Sequence, residues 1–585
     1  SIVESGNDIM FAINIPQESV TIPETILIDK NLTIDGKGKT ISVAEPGVSN
    51  YRIFKIGLYE PEDGAELISL TLKNCTLYGG DGTALVDTET TMATWSATIL
   101  VGKNGTLTGE NLIFEKAKNG YAAGIMACGD ITLTNCIFKG LSGTSAGGAL
   151  YTNSGVTGRF TGCTFENNTN TTHGGAVACS GSTNYFTDCV FTGNTVTGAK
   201  SDGGAIFLQK AGASAEIVNC TFTQNSTTRY GGAISQKNDI ATNGFLTIKN
   251  STFTQNKSTA AKGGGGALLT WMGDVTVENC SFEGNAVEGS GGSGGAWYAS
   301  MTAADINSCK VSNTYFGENI CTAHGGAILA KVPDGVFTNC TFYKNVGGTG
   351  GALACQAATI NVYNSTFVGN ELKNESYGTG IHSASNGGFN LYNNIVVGGV
   401  SGIADVYTHN NCTLVGSHNI YGTIAEGTPV TTDEFVDNVV YTDQKLFAED
   451  EPIPAFNEGT TKNIAIAADG IAAGAGIVVE GVPTVDQRGK SRSATNPAIG
   501  SYEVEKATSI ERVAVEKLFW PNPAQGNINL TEGVSNIAIY DLQGSLVKEV
   551  AMPAQSVSVE GLNPGIYLIR ITLNGNEHNH RLVIK

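Results

Sequence analysis

The chain has 585 residues, of which 76 are glycine and 14 are proline, and its formal net charge is −19 at pH 7. This acidity excludes nucleic acid as a partner, because phosphate binding requires basic patches, and no apolar run reaches the ~18–20 residues of a membrane-spanning helix. The 13 cysteines form no Cys-x-x-Cys pair, which removes the usual zinc and redox motifs.

The N-terminal region predicts the start of a stack of strands. Residues 26–36 alternate apolar and polar side chains and turn at Asp35-Gly36. This segment resembles the opening coil of many parallel β-helices. We expect residues 1–25 to form a cap, because the open end of a strand stack would be an unpaired edge.

Two short patterns alternate from about residue 120 to residue 400. Gly-Gly-Ala followed by an apolar residue begins at Gly147, Gly174, Gly203, Gly231, Gly265, Gly294, Gly325 and Gly350. Phe-x-x-Asn occurs as Phe165–Asn168, Phe191–Asn194, Phe222–Asn225, Phe253–Asn256, Phe282–Asn285, Phe316–Asn319, Phe342–Asn345 and Phe367–Asn370. Such interleaved repeats indicate one structural coil per pair of motifs, with connecting loops of variable length.

The segments between the motifs alternate apolar and polar residues with a period of two, which predicts short strands. A single coil cannot bury its apolar face, so the coils must stack at the ~4.8 Å spacing of paired strands. Stacking predicts a core column of phenylalanines and a ladder of asparagine amides at one turn. It also predicts a column of buried thiols, formed by Cys163, Cys189, Cys220, Cys280 and Cys340.

The paired motifs resemble the repeats of the chlamydial polymorphic outer-membrane proteins and of similar bacterial adhesin-like β-helices. The resemblance and the crossover rule for parallel strands together predict an all-β protein, with a right-handed parallel β-helix over residues 1–503 and a small C-terminal β-sandwich. Residues 120–400 would form the regular coils. Residues 400–503 would form irregular final coils.

The last coil carries its own motif. Asp486-Gln-Arg-Gly489 and Ala498-Ile-Gly-Ser-Tyr-Glu503 resemble the closing coil of Bacteroidetes-type surface β-helix proteins, although Ala498 stands where those usually have an acid. We expect Arg488, Arg492 and Glu503 to form a structural ion-pair cluster rather than an active site.

A linker is predicted over residues 504–515, and a separate domain over residues 516–585. Four elements in this domain resemble the C-terminal sorting domain of the type IX secretion system. They are Trp520-Pro-Asn-Pro523, Ile539-Tyr-Asp-Leu-Gln-Gly544, Leu562-Asn-Pro-Gly-Ile-Tyr-Leu568 and Arg581-Leu-Val-Ile-Lys585. The resemblance implies that the type IX secretion machinery is a partner. It also implies a location at the cell surface or outside the cell.

Catalytic motifs of β-helix polysaccharide enzymes are missing. The galacturonan-hydrolase strings Asn-Thr-Asp, Asp-Asp, Gly-His-Gly and Arg-Ile-Lys do not occur. His173 and His324 both precede Gly-Gly-Ala and are expected to be turn residues. His578 and His580 share one face of a strand in the tail, and a metal site there would need more ligands than these two. We expect no cofactor; the alternative is a calcium role for the loop aspartates Asp130, Asp202, Asp274 and Asp334, which otherwise form turns.

One surface suggests binding. Side chains alternate across a strand, so the second and fourth residues after Gly-Gly-Ala should point outward. Stacked coils would gather these residues into a stripe of exposed rings and polar groups, with Tyr151, Phe207, Gln209, Trp271, Tyr298 and Lys331 as the candidate ligand-binding residues. The sequence thus predicts an adhesin-like protein that binds a glycan or a partner protein on a host or neighbouring cell, without catalysis. The alternative functional reading is a polysaccharide lyase or glycoside hydrolase, and the alternative structural reading is that loops cover the stripe.

Overall fold

A computed structural model describes residues 2–5, 8–11, 19–46, 48–49, 51–80, 97–118, 121–237, 244–271, 273–300, 308–373, 377–400, 402–425, 430–504, 518–551 and 555–585. The chain divides into two compact units, residues 1–506 and 507–585. The described residues are in strands, turns and irregular segments. None of them forms a helix of the length and apolarity that a membrane crossing needs.

The first unit is a parallel β-helix, as predicted, and its most regular wall is a sheet of 14 parallel strands. We call it the Gly-Gly-Ala sheet, because from Leu150 onward nearly all of its strands directly follow that motif. Its strands are Ile26–Ile28, Phe54–Ile56, Ile99–Val101, Ile125–Ala127, Leu150–Thr152, Val177–Ser180, Ile206–Gln209, Ile234–Lys237, Leu268–Thr270, Trp297–Ser300, Ile328–Lys331, Leu353–Gln356, Ile381–Ala384 and Val406–Thr408.

The second wall is a sheet of 30 strands, called the long sheet here. It opens with Ile2–Ser5, Asp8–Phe11, Ser19–Ile22, Leu32–Val43, Ile68–Tyr78 and Gly105–Glu115. Eleven strand pairs then follow, one pair per coil: Ile131–Thr134 and Ile137–Lys139, Thr157–Thr161 and Thr164–Glu166, Thr183–Thr187 and Val190–Thr192, Ser214–Val218 and Thr221–Thr223, Phe245–Lys249 and Thr252–Thr254, Asp274–Glu278 and Ser281–Glu283, Cys309–Ser312 and Tyr315–Gly317, Gly335–Thr338 and Thr341–Tyr343, Thr359–Tyr363 and Thr366–Val368, Gly388–Tyr392 and Ile395–Val397, Thr413–Ser417 and Ile420–Tyr421. It closes with Val430–Val436 and Val439–Val440.

Two-residue strands form the third wall. Six of them make one sheet: Ser142–Gly143, Thr169–Asn170, Thr195–Val196, Ser226–Thr227, Lys257–Ser258 and Ala286–Val287. Val346–Gly347 and Glu371–Leu372 make another. At the N-terminal end, Asp8–Phe11 and Ser19–Ile22 both pair with Leu32–Val43. The first 25 residues therefore contribute strands to the first coils of the long sheet.

The predicted phenylalanine column is confirmed. From Phe114 to Phe367, one ring per coil is stacked on the next, with centroids 4.4–5.1 Å apart and ring planes within 11° of parallel. This spacing is that of hydrogen-bonded strands, so each ring repeats the position of the one in the coil before it. Buried aromatic rings contribute much of the apolar area of such a core.

The asparagine ladder is confirmed as well. From Asn168 to Asn370, each side-chain amide nitrogen donates to the amide oxygen of the next asparagine at 2.9–3.0 Å. The same nitrogen donates to the carbonyl of a core phenylalanine at 2.9–3.1 Å. These amides are buried, and the ladder satisfies both of their polar ends.

All 13 cysteines are free and buried. The predicted thiol column is present: the Cys220 sulfur accepts a hydrogen bond from the Cys189 backbone N–H at 3.4 Å. In the next coil Ser251 takes the same place and accepts from the Cys220 N–H at 3.0 Å. The position thus takes a side chain with an acceptor atom, and both thiol and hydroxyl provide one.

The expectation that residues 400–503 form final coils is wrong for its second half. The coils continue to Val439–Val440, and residues 446–504 then lie back over the outer face of the long sheet. The apolar residues that share this second core are Tyr315, Tyr343, Val368, Ile395, Val397 and Ile420 from the sheet, with Leu446, Ile464, Ile466, Ala472, Ala498 and Ile499 from the returning segment. The segment folds back because this part of the sheet carries apolar side chains outward, and these must be covered.

Polar contacts hold the returning segment against the long sheet. Gln487 accepts a hydrogen bond from the Thr341 hydroxyl at 2.6 Å, and Lys462 forms an ion pair with Glu283 at 2.7 Å. The expected ion pair between Arg492 and Glu503 is present at 3.0 Å.

Arg488, by contrast, forms an ion pair with Asp486 at 2.7 Å, and it contacts Glu503 only by donating a hydrogen bond to the Glu503 backbone carbonyl. The cluster therefore includes an acid that the sequence analysis did not assign to it.

The second unit contains two antiparallel sheets that share one core, which agrees with the predicted small sandwich. One sheet consists of Phe519–Trp520, Asn527–Leu530 and Ser556–Ser558. The other consists of Val534–Tyr540, Leu546–Ala551, Gly565–Leu573 and Asn576–Ile584.

Candidate binding face

The outer face of the Gly-Gly-Ala sheet is built from aligned columns of side chains. The strand column contains Tyr151, Ala178, Phe207, Ser235, Leu269, Tyr298, Leu329, Ala354, His382 and Tyr407, each in register with the next. Beside it lies a turn column, made by the residue that precedes each Gly-Gly. It includes His173, Asp202, Tyr230, Gly264 and Ser293, joined by successive β-bridges.

The two glycines hold this turn column close to the strands. Gly203 has a φ of +71°, which favours glycine. A Cβ on Gly204 would lie only 1.9 Å from the carbonyl oxygen of Gly232 in the next coil. The motif therefore packs the turns of neighbouring coils directly backbone against backbone.

The expected exposure of Tyr151 and Phe207 is wrong. Both point away from the coil interior, but only 2% of Tyr151 and 3% of Phe207 is exposed. The Tyr121 ring meets Tyr151 edge-on at 4.8 Å, and the His173 ring stacks on Phe207 at 4.4 Å. Rings at the turn, in the coil before, thus cover these two side chains, which leaves them no surface for a ligand.

Trp271 and Tyr298 are half-buried and lie near a tyrosine that the sequence analysis missed. The Tyr230 ring is 6.3 Å from Trp271 and 6.2 Å from Tyr298, between centroids. The Tyr298 ring lies against Gly264, where a Cβ would approach its Cδ1 atom to 2.3 Å. Glycine in the turn column thus makes room for a ring that another residue would displace.

Two lysines complete this surface. The Lys237 ammonium lies over the Trp271 ring, 5.0 Å from its centroid, and the Lys331 ammonium lies over Tyr298 at 5.6 Å. We call Tyr230, Lys237, Trp271, Tyr298 and Lys331 the aromatic patch. Cation–π contacts of this kind hold the lysine chains across the rings.

Gln209, another predicted site residue, pairs in register with Lys237 and is half-buried. It therefore lies one coil away from the patch, in the same outward column as Lys237. Tyr230 precedes the motif, so the alternation rule does not apply to it, whereas Lys237 is the fourth residue after Gly231-Gly232-Ala233 and that rule does place it on the outer face. A comparison of the residues before each Gly-Gly would have singled out Tyr230.

A buried ion pair supports one end of the patch. The Arg229 guanidinium donates to both carboxylate oxygens of Asp202, with an Nε–Oδ1 distance of 2.8 Å. The Asp202 side chain is fully buried, and the Lys237 ammonium lies 3.9 Å from its Oδ2. The hydrogen bond that Arg229 donates to Asp202 raises the pKa of Arg229.

Asp202 therefore orders two cations instead of lying free as a general acid or base. Burial is the largest cause of the raised pKa of Tyr230, so its phenol is neutral at physiological pH.

Two of the other loop aspartates accept hydrogen bonds from the next coil, and the third lies in a turn. Asp130 accepts a hydrogen bond from the Thr157 N–H at 2.7 Å, and Asp274 accepts two from Ser308 at 2.9–3.0 Å. Asp334 adopts a left-handed turn conformation with a φ of +53°. Across the part of the chain that the structure describes, no three or more His, Cys, Asp or Glu side chains are grouped to hold a metal.

The C-terminal end of the same face carries a cluster of four rings, Tyr377, His382, Tyr407 and His409, with all centroids 4.8–5.8 Å apart. His382 is 2% exposed, and neither of its ring nitrogens has a hydrogen-bond partner. Burial, with a smaller contribution from His409, lowers the pKa of His382 to about 3. His382 is therefore a neutral ring at physiological pH.

A cleft elsewhere in the first unit, about 500 Å³ in volume, is lined by Arg492 and Glu503 together with polar loop residues. Arg492 already donates to Val485, Ala498, Gly500, Asn339 and Glu503. Since its guanidinium has only five N–H groups, it has none to offer a ligand. Burial lowers its pKa to about 10, although the group remains charged.

The class of protein follows from this fold and from comparison with known families. A family model described as "Right handed beta helix region" matches residues 62–245 and 239–418, which together span more than half of the chain. The chain therefore belongs to the right-handed β-helix family. A model described as "Secretion system C-terminal sorting domain" matches residues 518–585. The protein is accordingly a type IX secretion substrate, exported across the outer membrane to the cell surface or the extracellular space.

No curated protein matches the chain. Among solved structures, tailspike protein 3 of bacteriophage CBA120 is similar at 11% sequence identity and a TM-score of 0.29. The alignment covers 71% of this chain and 57% of the tailspike chain, so the chain spans little more than half of that protein's length. A likeness at this level carries no argument about function.

Proposed function

We propose that this secreted β-helix protein is an adhesin-like carbohydrate-binding protein and that the aromatic patch is its glycan-binding surface. The observation that carries the proposal is the half-exposed group of rings formed by Tyr230, Trp271 and Tyr298, with Lys237 and Lys331 beside them. Sugar rings pack their C–H faces on aromatic side chains, while polar neighbours bind the hydroxyl groups. The Gly-Gly-Ala and Phe-x-x-Asn pairs further support assigning the coils to the chlamydial polymorphic outer-membrane type.

The position of the patch supports this function. It lies on the regular part of the solenoid, where strand pairing and backbone-to-backbone turns hold the backbone of each coil. A rigid surface of this kind loses little conformational entropy when it binds. Export to the cell exterior also places the patch where glycans of other cells or of the medium occur.

The test is a glycan-array screen of the full secreted chain, followed by the variants Trp271→Ala and Tyr298→Ala. Each variant should lose most of the retained glycan signal. Tyr185→Ala is the matched control, because Tyr185 is also a half-buried ring with a cation over it, Arg159 at 4.5 Å, but it lies on the long sheet. Its glycan binding should equal that of the wild type.

The same glycans should be assayed for new reducing ends and for unsaturated uronates. Formation of either product would replace binding with the polysaccharide-lyase or hydrolase alternative. Equal glycan retention by the wild type, Trp271→Ala and Tyr298→Ala would overturn the assignment of the patch. Absence of glycan retention together with capture of a defined surface protein would replace the glycan with a protein partner.

A further inference from the structure

Lys237 and Lys331 occupy equivalent places on the outer face, three coils apart. Lys237 belongs to strand Ile234–Lys237, and pairing proceeds from that strand through Leu268–Thr270 and Trp297–Ser300 to Ile328–Lys331. Ser300 pairs directly with Lys331, and Trp271 directly follows the strand next to Lys237. At the spacing of paired strands, three coil steps separate the two lysine backbones by about 14 Å along the helix axis.

Both lysines lie over the rings that a sugar would need. Because an ammonium lies over Trp271 and another over Tyr298, a sugar that approaches those ring faces meets a positive charge. A neutral sugar would have to displace each lysine and lose its cation–π contact. A sugar with a carboxylate or sulfate would offset that loss, because each displaced ammonium could form an ion pair with the anionic group.

The charge around the patch strengthens this argument. The chain as a whole has a net charge of −19, but the patch holds Lys237 and Lys331, with Arg229 nearby, and the buried Asp202 is the counter-ion of Arg229 and Lys237 only. His324, close to Lys331, is kept neutral because burial and that lysine lower its pKa. The patch is therefore a local positive site on an acidic protein, which selects for anions at short range.

From this arrangement we infer that the ligand is an acidic glycan chain lying along the helix axis, with one anionic group on Lys237 and a second on Lys331. This inference rests on the proposed function and narrows it to a ligand class and a minimum length. A chain that reaches both lysines must span about 14 Å, which is the length of several sugar units rather than one.

The test compares defined oligosaccharides of two to eight units by calorimetry with the full chain. One arm uses oligogalacturonates, which carry carboxylates, and another uses chondroitin sulfate oligosaccharides, which also carry sulfates. A third uses neutral cello-oligosaccharides. We expect an acidic series to bind, with a marked gain in affinity once the chain spans both lysines, and the stronger acidic arm identifies the preferred anion.

The variants Lys237→Gln and Lys331→Gln should each weaken binding of the long acidic chains roughly tenfold, as expected for the loss of one charged hydrogen bond. Each should also make the binding less sensitive to salt, because one ion pair is lost. Lys310→Gln is the matched control, since Lys310 is an exposed lysine on the long sheet. It should leave both affinity and salt dependence unchanged.

Two outcomes would overturn the inference in different ways. Neutral chains that bind as tightly as acidic ones, with loss on Trp271→Ala but not on Lys237→Gln or Lys331→Gln, would refute the acidic ligand and leave the glycan-binding function intact. Absence of binding in all three arms and on the glycan array would refute the inference and the proposed function together.

Discussion

The asparagine ladder makes one quantitative prediction, which we develop for Asn256→Ala. Asn256 is fully buried, and its amide oxygen accepts hydrogen bonds from the Asn225 backbone N–H and the Asn225 side chain at 2.9–3.0 Å. Its amide nitrogen donates to Asn285 at 3.0 Å and to the Phe222 carbonyl at 2.9 Å. Alanine removes all four bonds, and at about 1 kcal/mol for each net hydrogen bond the free energy of unfolding falls by ~4 kcal/mol. The buried polar groups left without a partner raise this loss toward ~6 kcal/mol.

The assay is urea-induced unfolding of the first unit, followed by circular dichroism, with native-state hydrogen exchange to locate the weakened coils. Asn361→Ala is the control, because Asn361 is half-buried and makes one side-chain hydrogen bond, from Asn390 at 2.8 Å. Asn361→Ala should lower the free energy of unfolding by about 1 kcal/mol.

Exchange should accelerate in the coils of Asn225, Asn256 and Asn285 before it accelerates at distant coils, since repeats interact mainly with their neighbours. If Asn256→Ala were no more destabilising than Asn361→Ala, the ladder would not be a main source of stability.

Three further predictions follow from single contacts. Gly204→Ala should lower the free energy of unfolding by ~3 kcal/mol or more, because its Cβ would lie 1.9 Å from the Gly232 carbonyl oxygen. Gly212→Ala has open space around it and should lower that free energy by only about 1 kcal/mol. The melting temperatures of the two variants test this difference. Cys220→Ser should stay within about 1 kcal/mol of the wild type by urea titration, because Ser251 already performs the same role one coil on. His382, with a folded-state pKa of about 3 and an ordinary unfolded value of 6.5, favours folding fully above pH 6.5 and loses this contribution as the pH falls toward 3. The melting temperature of the wild type should therefore fall more between pH 7 and pH 4 than that of His382→Phe, and parallel curves would contradict the burial of a neutral imidazole.

Most of the β-helix could be predicted because the same short motifs recur once in every coil. Phe222 and Asn225 in one coil are equivalent to Phe253 and Asn256 in the next, so the sequence repeat predicts the strand register. The thiol position could be predicted for the same reason. One column of equivalent residues suffices to infer stacking, since strand pairing fixes the distance between coils.

The candidate site was predicted only in part, because exposure depends on neighbours that the alternation rule ignores. Period-two alternation places Phe207 and Tyr298 on the same outward column, which is where they lie. Their burial differs because the residue at the turn differs: His173 stacks on Phe207, whereas Gly264 leaves Tyr298 partly open. The same rule gives no reason to examine Tyr230, which precedes the strand.

The returning segment could not be predicted, because its contacts connect residues that are far apart in sequence and follow no repeat. Lys462 pairs with Glu283, and Gln487 binds Thr341. In the sequence, Tyr315 stands directly before a column phenylalanine, where the neighbouring coils have Ser281 and Thr341, and Tyr343 stands directly after one, where the preceding coil has Gly317. That departure from the repeat is the signal that a covering segment was required.

These differences explain why a binding surface would form on the Gly-Gly-Ala sheet. Part of the outer face of the long sheet is covered by residues 446–504, and the third wall is made of two-residue strands that offer little surface. On the Gly-Gly-Ala sheet, the glycine turns draw one column of side chains against the strands, and the identity of that column decides which rings are open. Gly264 therefore controls the patch: Gly264→Ala would displace the Tyr298 ring and should reduce glycan retention as Tyr298→Ala does, without removing any atom that contacts the ligand. Unchanged glycan retention by Gly264→Ala would show that ligand binding does not depend on the position of the Tyr298 ring.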